Sequence, residues 1–296
     1  MDRRTFMASA GAASLAAMAP GLSGAGSRES ESGRSFTLRY APHFGMFRNL
    51  ASEDPVAQLE FAASEGFNAW EDNGMAGRSV EDQVRLAKAM GVFVLNPGTA
   101  WGPHFSRGNA DDLERFLSET RNAVDVAKRV NAKWMTVVLG TREQRLPLGY
   151  QTAYAIDALR RACDVLEPHG LVMVLEPLNP RDHPNMLLAE MGHAYEICRG
   201  VDSPSCKILC DVYHQQATEG NLLDNIRRSW NEIAYFQVGD NPGRREPTTG
   251  EINYAKIFSD LHARGFDGII GMEHGNAGAG ADGERAVIDT YRACDP

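Results

Sequence analysis

Residues 171–177 read Leu171-Val172-Met173-Val174-Leu175-Glu176-Pro177, five apolar residues in succession that end on a carboxylate and then a proline. A short run of this kind, closed by a turn signal, reads as a β-strand. A longer amphipathic stretch, Thr152–His169, precedes it, and another, Leu188–Arg199, follows it. Working outward, the same alternation recurs along the chain. Strands are expected at Phe36–Ala41, Phe67–Glu71, Val92–Asn96, Trp134–Leu139, Leu171–Glu176, Lys207–Asp211, Ile233–Val238 and Gly268–Glu273. The helices between and after them read as Pro55–Ser64, Val80–Met90, Asp112–Val130, Thr152–His169, Leu188–Arg199, Leu222–Trp230, Tyr254–Ala263 and Glu284–Ala293, with Asp111 and Asn253 as caps for the third and seventh. Eight βα units imply an α/β fold, a (β/α)8 TIM barrel, whose active-site residues sit at the C-terminal ends of the strands. A doubly wound open sheet is the rival. After the first strand the chain reads Tyr40-Ala41-Pro42-His43-Phe44-Gly45, without the glycine pattern of a dinucleotide site.

The barrel accounts for residues 35–296 as a single catalytic domain, and residues 1–34 read as an export signal and flexible linker. Arg3-Arg4 precedes the uncharged run Ala8–Ala19, which is too short for a stable membrane anchor. Small residues at Ser23-Gly24-Ala25 complete a leader that resembles the twin-arginine type and points to the periplasm. The 296 residues carry 30 Lys plus Arg against 39 Asp plus Glu, a formal charge of -9, which argues against a nucleic-acid partner. Five scattered cysteines do not make a disulfide framework and read as thiols. His169, His183, His193 and His262 fall on or beside helices and read as surface residues.

The chemistry lies at the strand ends. Strands five to eight finish at or near Glu176, Asp211, Gln237 and Glu273, all oxygen donors. A strand-end carboxylate alone is often a helix cap, but four oxygen side chains converging on one barrel mouth would repel one another without a cation. Oxygen-only ligation suits one Mg2+ or Mn2+ better than Zn2+. His214 falls in the loop beyond Asp211, and Arg244 in the turn-rich segment Gly239–Pro247 is placed to hold a substrate oxygen. His43 follows strand one, Glu71 ends strand two, and Trp101 and His104 lie in the loop after strand three, where all four can line the mouth as substrate contacts.

Five segments carry a resemblance: Val174–Asn179, Asp211–His214, Gln237–Gly239, Gly250–Tyr254 and Gly271–His274. Together they resemble the hydroxypyruvate isomerase family, within the xylose-isomerase-like barrels that include ketose 3-epimerases and endonuclease IV. The resemblance implies that Glu176, Asp211, Gln237 and Glu273 are divalent-metal ligands, that Glu176 and Glu273 exchange protons with substrate, and that His214 and Arg244 bind substrate oxygens. Gln237 stands where the ketose epimerases carry histidine. An export leader is a departure from the family, as is His274 where an aromatic is expected.

What the resemblance implies is an isomerase of a small hydroxy-carbonyl compound, with the cation stabilising an enediolate while one glutamate removes a carbon-bound proton and the other returns one. Epimerisation of a keto-sugar, or β-elimination from a 3-keto-glycoside, would start with the same proton abstraction. A non-catalytic carbohydrate-binding barrel would bind without exchange. Endonuclease activity would require a histidine-rich zinc cluster and a basic groove. A homo-oligomer is left open.

Overall fold

The computed structural model describes residues 35–90, 93–95 and 105–296. The leader and linker expected over residues 1–34, and the two mouth residues Trp101 and His104, lie outside the described residues.

Eight parallel strands form one sheet: β1 Tyr40–Ala41, β2 Trp70–Glu71, β3 Phe93–Leu95, β4 Trp134–Val137, β5 Val172–Leu175, β6 Cys206–Asp211, β7 Ile233–Gln237 and β8 Ile269–Gly271. Their order is β1-β8-β7-β6-β5-β4-β3-β2, and Glu71 N donates to Pro42 O at 2.9 Å, so the two end strands meet and the sheet curls shut. The helices are α1 Pro55–Ser64, α2 Val80–Ala89, α3 Ala110–Val130, α4 Leu148–Leu166, α5 Met191–Val201, α6 Val212–Thr218, α7 Leu222–Ser229, α8 Tyr254–Ala263 and α9 Gly280–Cys294. This is the expected (β/α)8 barrel.

Differences from the sequence reading have local causes. The first strand starts later than Phe36 because Thr37 N and Leu38 N donate to the Asp295 carboxylate, at 2.7 and 3.1 Å, instead of to a neighbouring strand. Asn109, not Asp111, caps α3, its side chain accepting from Asp111 N at 2.7 Å. Asn253 caps α8 as expected. The short helix α6 follows β6 where a loop was expected, because Asp211 acts as its N-cap. His193 is half-buried between α4 and α5, with a ring nitrogen 3.0 Å from Thr152 Oγ1. The five cysteines are all buried and free.

Strand alternation sorts the core. Ala41, Ala69, Trp134, Val174, Leu209, Tyr235 and Ile269 pack together inside the barrel, while Met173, Leu175, Ile208, Cys206, Cys210, Phe236 and Ile270 face the helices. Two residues further along an inward row the chain reaches Glu71, Glu176, Asp211 and Gln237, so the period that buries Val174 also aims Glu176 into the mouth. On β8 that row passes Gly271, where a Cβ would overlap Glu71 Oε2, so only glycine leaves room for the buried acid.

Candidate functional site

The floor of the mouth is a buried polar knot. Glu71 accepts Tyr235 Oη–H at 2.6 Å and Gln237 Nε2–H at 3.0 Å, across 164 and 166 residues of chain. One hydrogen of the Gln237 amide is thereby used, and its Oε1 is buried with no hydrogen-bond partner among the described residues. An orphaned amide oxygen at such depth is costly unless something positive meets it.

Beside it, Asp211 divides its two oxygens. Oδ1 caps α6, accepting Tyr213 N at 2.8 Å and His214 N at 3.4 Å. Oδ2 turns to the mouth, 2.9 Å from Arg244 Nη2 and 3.4 Å from His214 Nε2. One ligand atom each from Glu176, Asp211 and His214 lie within 4.8 Å of one another, close enough to share a metal ion. Glu273 reaches the same space from beyond β8, its Oε2 2.6 Å from Arg244 Nη2.

The crowding of acids is visible in their proton affinities. Burial, then the neighbouring Asp211 charge, pushes the Glu176 carboxyl up to about 8. Burial and Glu176 together raise Glu273 well above the carboxylate range, and burial raises Glu71 despite its two donors. The folded Glu176 thus holds a proton that the unfolded chain has released. That contribution to stability is present below the ordinary value of 4.5 and is lost as pH rises through about 8. Without divalent cation, the melting temperature is expected to fall as pH rises from about 5 to 8 and to level off above that, and saturating Mg2+ should flatten the profile. Thermal scans along a buffer series check this, and a metal-free profile that rises would contradict it.

His214 sits on α6, buried, and burial lowers its pKa to about 4, so the ring is neutral near pH 7. Its Nδ1 lies 2.7 Å from Asn179 Nδ2 and 3.3 Å from Asn179 N. Its Nε2 points toward Asp211 and, at 3.7 Å, toward Glu176 Oε1. The His183 ring packs edge-on to it, with centroids 5.3 Å apart, so His183 lies near the mouth and not on a remote surface.

Arg244 owes its position to the loop after β7. Asp240 is fully buried and accepts three backbone N–H groups, from Asn241 at 2.9 Å, Gly250 at 2.8 Å and Ile252 at 3.0 Å. Arg244 adopts φ +51°, folds over the Tyr213 ring at 4.9 Å and donates through Nε to Glu273 O at 3.2 Å. Asp240→Ala would leave those N–H groups without their acceptor, a loss of about 3 kcal/mol or more. A fall in melting temperature of roughly 10 °C is expected. An unchanged denaturation curve would remove Asp240 from this role.

His43 lies beyond β1 with Nε2 3.1 Å from His274 O, half-buried at the rim. Its neighbour Phe44 packs at a tilt against Trp70, with ring centroids 4.8 Å apart. His274 fills the place of the expected aromatic by stacking on Tyr291 at 5.8 Å and 14° and bonding to its hydroxyl at 2.9 Å. The structure therefore gathers Glu176, Asp211, Gln237, Glu273, His214 and Arg244 in one mouth. Glu71 lies beneath them and His43 at the edge. Sequence reading missed Asn179, Asp182, Tyr213 and Tyr235, although the N-cap signal of Asp211 could have revealed α6 and with it Tyr213.

Residues 59–294 match the family model described as xylose isomerase-like TIM barrel. The 2-oxo-tetronate isomerase of Pectobacterium atrosepticum is 33% identical over 201 residues, covering 65% of this chain and 74% of the relative. The hydroxypyruvate isomerase of Escherichia coli is 29% identical over 165 residues, covering 54% of this chain and 62% of the relative. Among solved structures, an AP endonuclease family 2 protein from Brucella melitensis superposes with a TM-score of 0.72 at 24% identity, over 83% of this chain and 96% of that one, which is a likeness of fold.

Proposed function

Because the chain belongs to the xylose isomerase-like TIM barrel family and has relatives named as isomerases, we propose that it is a divalent-metal-dependent isomerase of a small hydroxy-carbonyl compound, of the aldose–ketose type. The observation that carries this reading is Gln237 Oε1, buried without a hydrogen-bond partner among the described residues, in the mouth that Glu176, Asp211 and Glu273 share. An amide oxygen with three acidic side chains is a donor set for a hard cation, and Glu176, Asp211, Gln237 and Glu273 would hold one Mg2+ or Mn2+. Such a cation, when bound, supplies the positive charge that makes a proton next to a carbonyl more acidic.

The protein's own groups do the rest. Glu176 lies just beyond β5 and Glu273 just beyond β8, and their raised proton affinities suit carboxyls that take a proton from one carbon and deliver one to its neighbour. His214 presents Nε2 toward the substrate's carbonyl oxygen, and Arg244 secures the substrate's far end. Burial of Asp211, Gln237 and His214 keeps water from the reacting carbons. On the paired arginines Arg3-Arg4, the site of action is proposed to be the periplasm.

The test follows deuterium from solvent into hydroxypyruvate, ketoses and 3-keto-glycosides, with Mn2+ or Mg2+ present. Incorporation with rearrangement of the carbonyl supports the isomerase. Inversion without rearrangement would convert the reading to an epimerase, and loss of a leaving group to a lyase. Tight sugar binding with no exchange on any of them would sink the enzyme reading.

A further inference from the structure

The donors around His214 decide which of its two nitrogens carries the hydrogen. Asn179 is completely buried. Its Oδ1 accepts Asp182 N–H at 2.9 Å, which orients the amide and turns Nδ2 the other way. The two hydrogens of Nδ2 then go to Asp182 Oδ2 at 3.0 Å and to His214 Nδ1 at 2.7 Å. The backbone N–H of Asn179 also points at Nδ1, at 3.3 Å. Two donors facing one ring nitrogen require that nitrogen to be the acceptor, so the hydrogen of the neutral ring lies on Nε2. Asp182 is itself tied down: its Oδ2 accepts Tyr213 Oη–H at 2.7 Å, and Arg181 Nη2 donates to that hydroxyl at 2.8 Å.

The geometry points to Asn179, held by Asp182, as a positioning residue that locks His214 as the Nε2–H tautomer and so makes it a hydrogen-bond donor to substrate oxygen instead of a metal ligand. The tautomer stands on these contacts alone, while its catalytic consequence rests on the isomerase reading. The lock also sorts the cluster in which Glu176, Asp211 and His214 approach one another within 4.8 Å. A ring nitrogen that carries hydrogen has no lone pair to give a cation. The metal set must then be completed by Gln237 and Glu273, while Nε2–H remains directed into the same space.

The experiment uses the full chain labelled with 15N-histidine, with long-range 1H–15N spectra recorded without metal, with Mg2+ and with 113Cd2+. Eight histidines are present, so the His214 signals are assigned by their loss in His214→Gln. An unprotonated Nδ1 and a protonated Nε2 are expected under all three conditions. A hydrogen on Nδ1 in the wild-type protein, or 113Cd coupling to Nε2, would overturn the proposal without any variant having to fold. Asn179→Asp replaces the donor at Nδ1 by an acceptor and should move the hydrogen to Nδ1. With it, kcat should fall about 10- to 100-fold while KM changes far less. An Asn179→Asp spectrum with the wild-type tautomer would also refute the lock. Absence of turnover in wild type, with the expected tautomer present, would count against the isomerase reading and leave the lock intact.

Discussion

Glu273→Gln is expected to lower solvent-proton exchange and turnover by about 10²- to 10⁴-fold, the usual worth of a positioned acid or base. The substitution keeps the shape of the side chain and an oxygen for the cation, but an amide neither takes up nor gives back a proton near neutral pH. Arg244 Nη2 would still find an acceptor where it now meets Glu273 Oε2 at 2.6 Å, and its Nε bond to the Glu273 carbonyl does not involve the side chain. Removing a carboxyl whose proton affinity is raised by burial and by Glu176 also relieves repulsion, so stability should hold or rise slightly. The measurements are deuterium incorporation into the accepted substrate, a melting curve and a metal-binding isotherm. Exchange close to wild type, with metal bound, would remove Glu273 from the proton transfer.

Stripping divalent cation should have the next largest effect, abolishing turnover and lowering the melting temperature together. At a free concentration one hundred times its dissociation constant, a cation that binds only the folded state adds about 2.7 kcal/mol. For a chain of this size that corresponds to roughly 5 to 10 °C. Gln237→Leu sharpens the test, because it deletes a mouth oxygen that is buried without a hydrogen-bond partner among the described residues. It also takes the Nε2 donor from Glu71, so the variant begins less stable. The informative quantity is the upward shift on adding Mn2+, which should shrink strongly in the variant. An equal shift in both proteins would show that the cation binds elsewhere.

The barrel and its mouth were legible in the sequence because both follow from short-range periodicity. Alternation that hides Val174, Leu209 and Tyr235 carries straight on to Glu176, Asp211 and Gln237. Helices α1 and α8 fall on the expected residues, each behind a side-chain cap, Asp54 and Asn253. What local pattern does not encode is who meets whom across the mouth. The Glu71 contact with Tyr235 spans 164 residues, and Asn179 reaches His214 across 35, so no window of sequence contains both members. For the same reason His193 read as surface, since its partner Thr152 belongs to another helix. The helix α6 escaped because seven residues are too few to display an apolar face.

Arg244 reaches Asp211 and Glu273 with a single nitrogen, Nη2, and so supplies a positive charge between two acids from within the chain. A centre whose carboxylates depended wholly on an outside ion for neutralisation would tie maturation of the polypeptide to metal supply. Here an internal counter-ion lets the barrel close over its acids whether or not an ion is at hand.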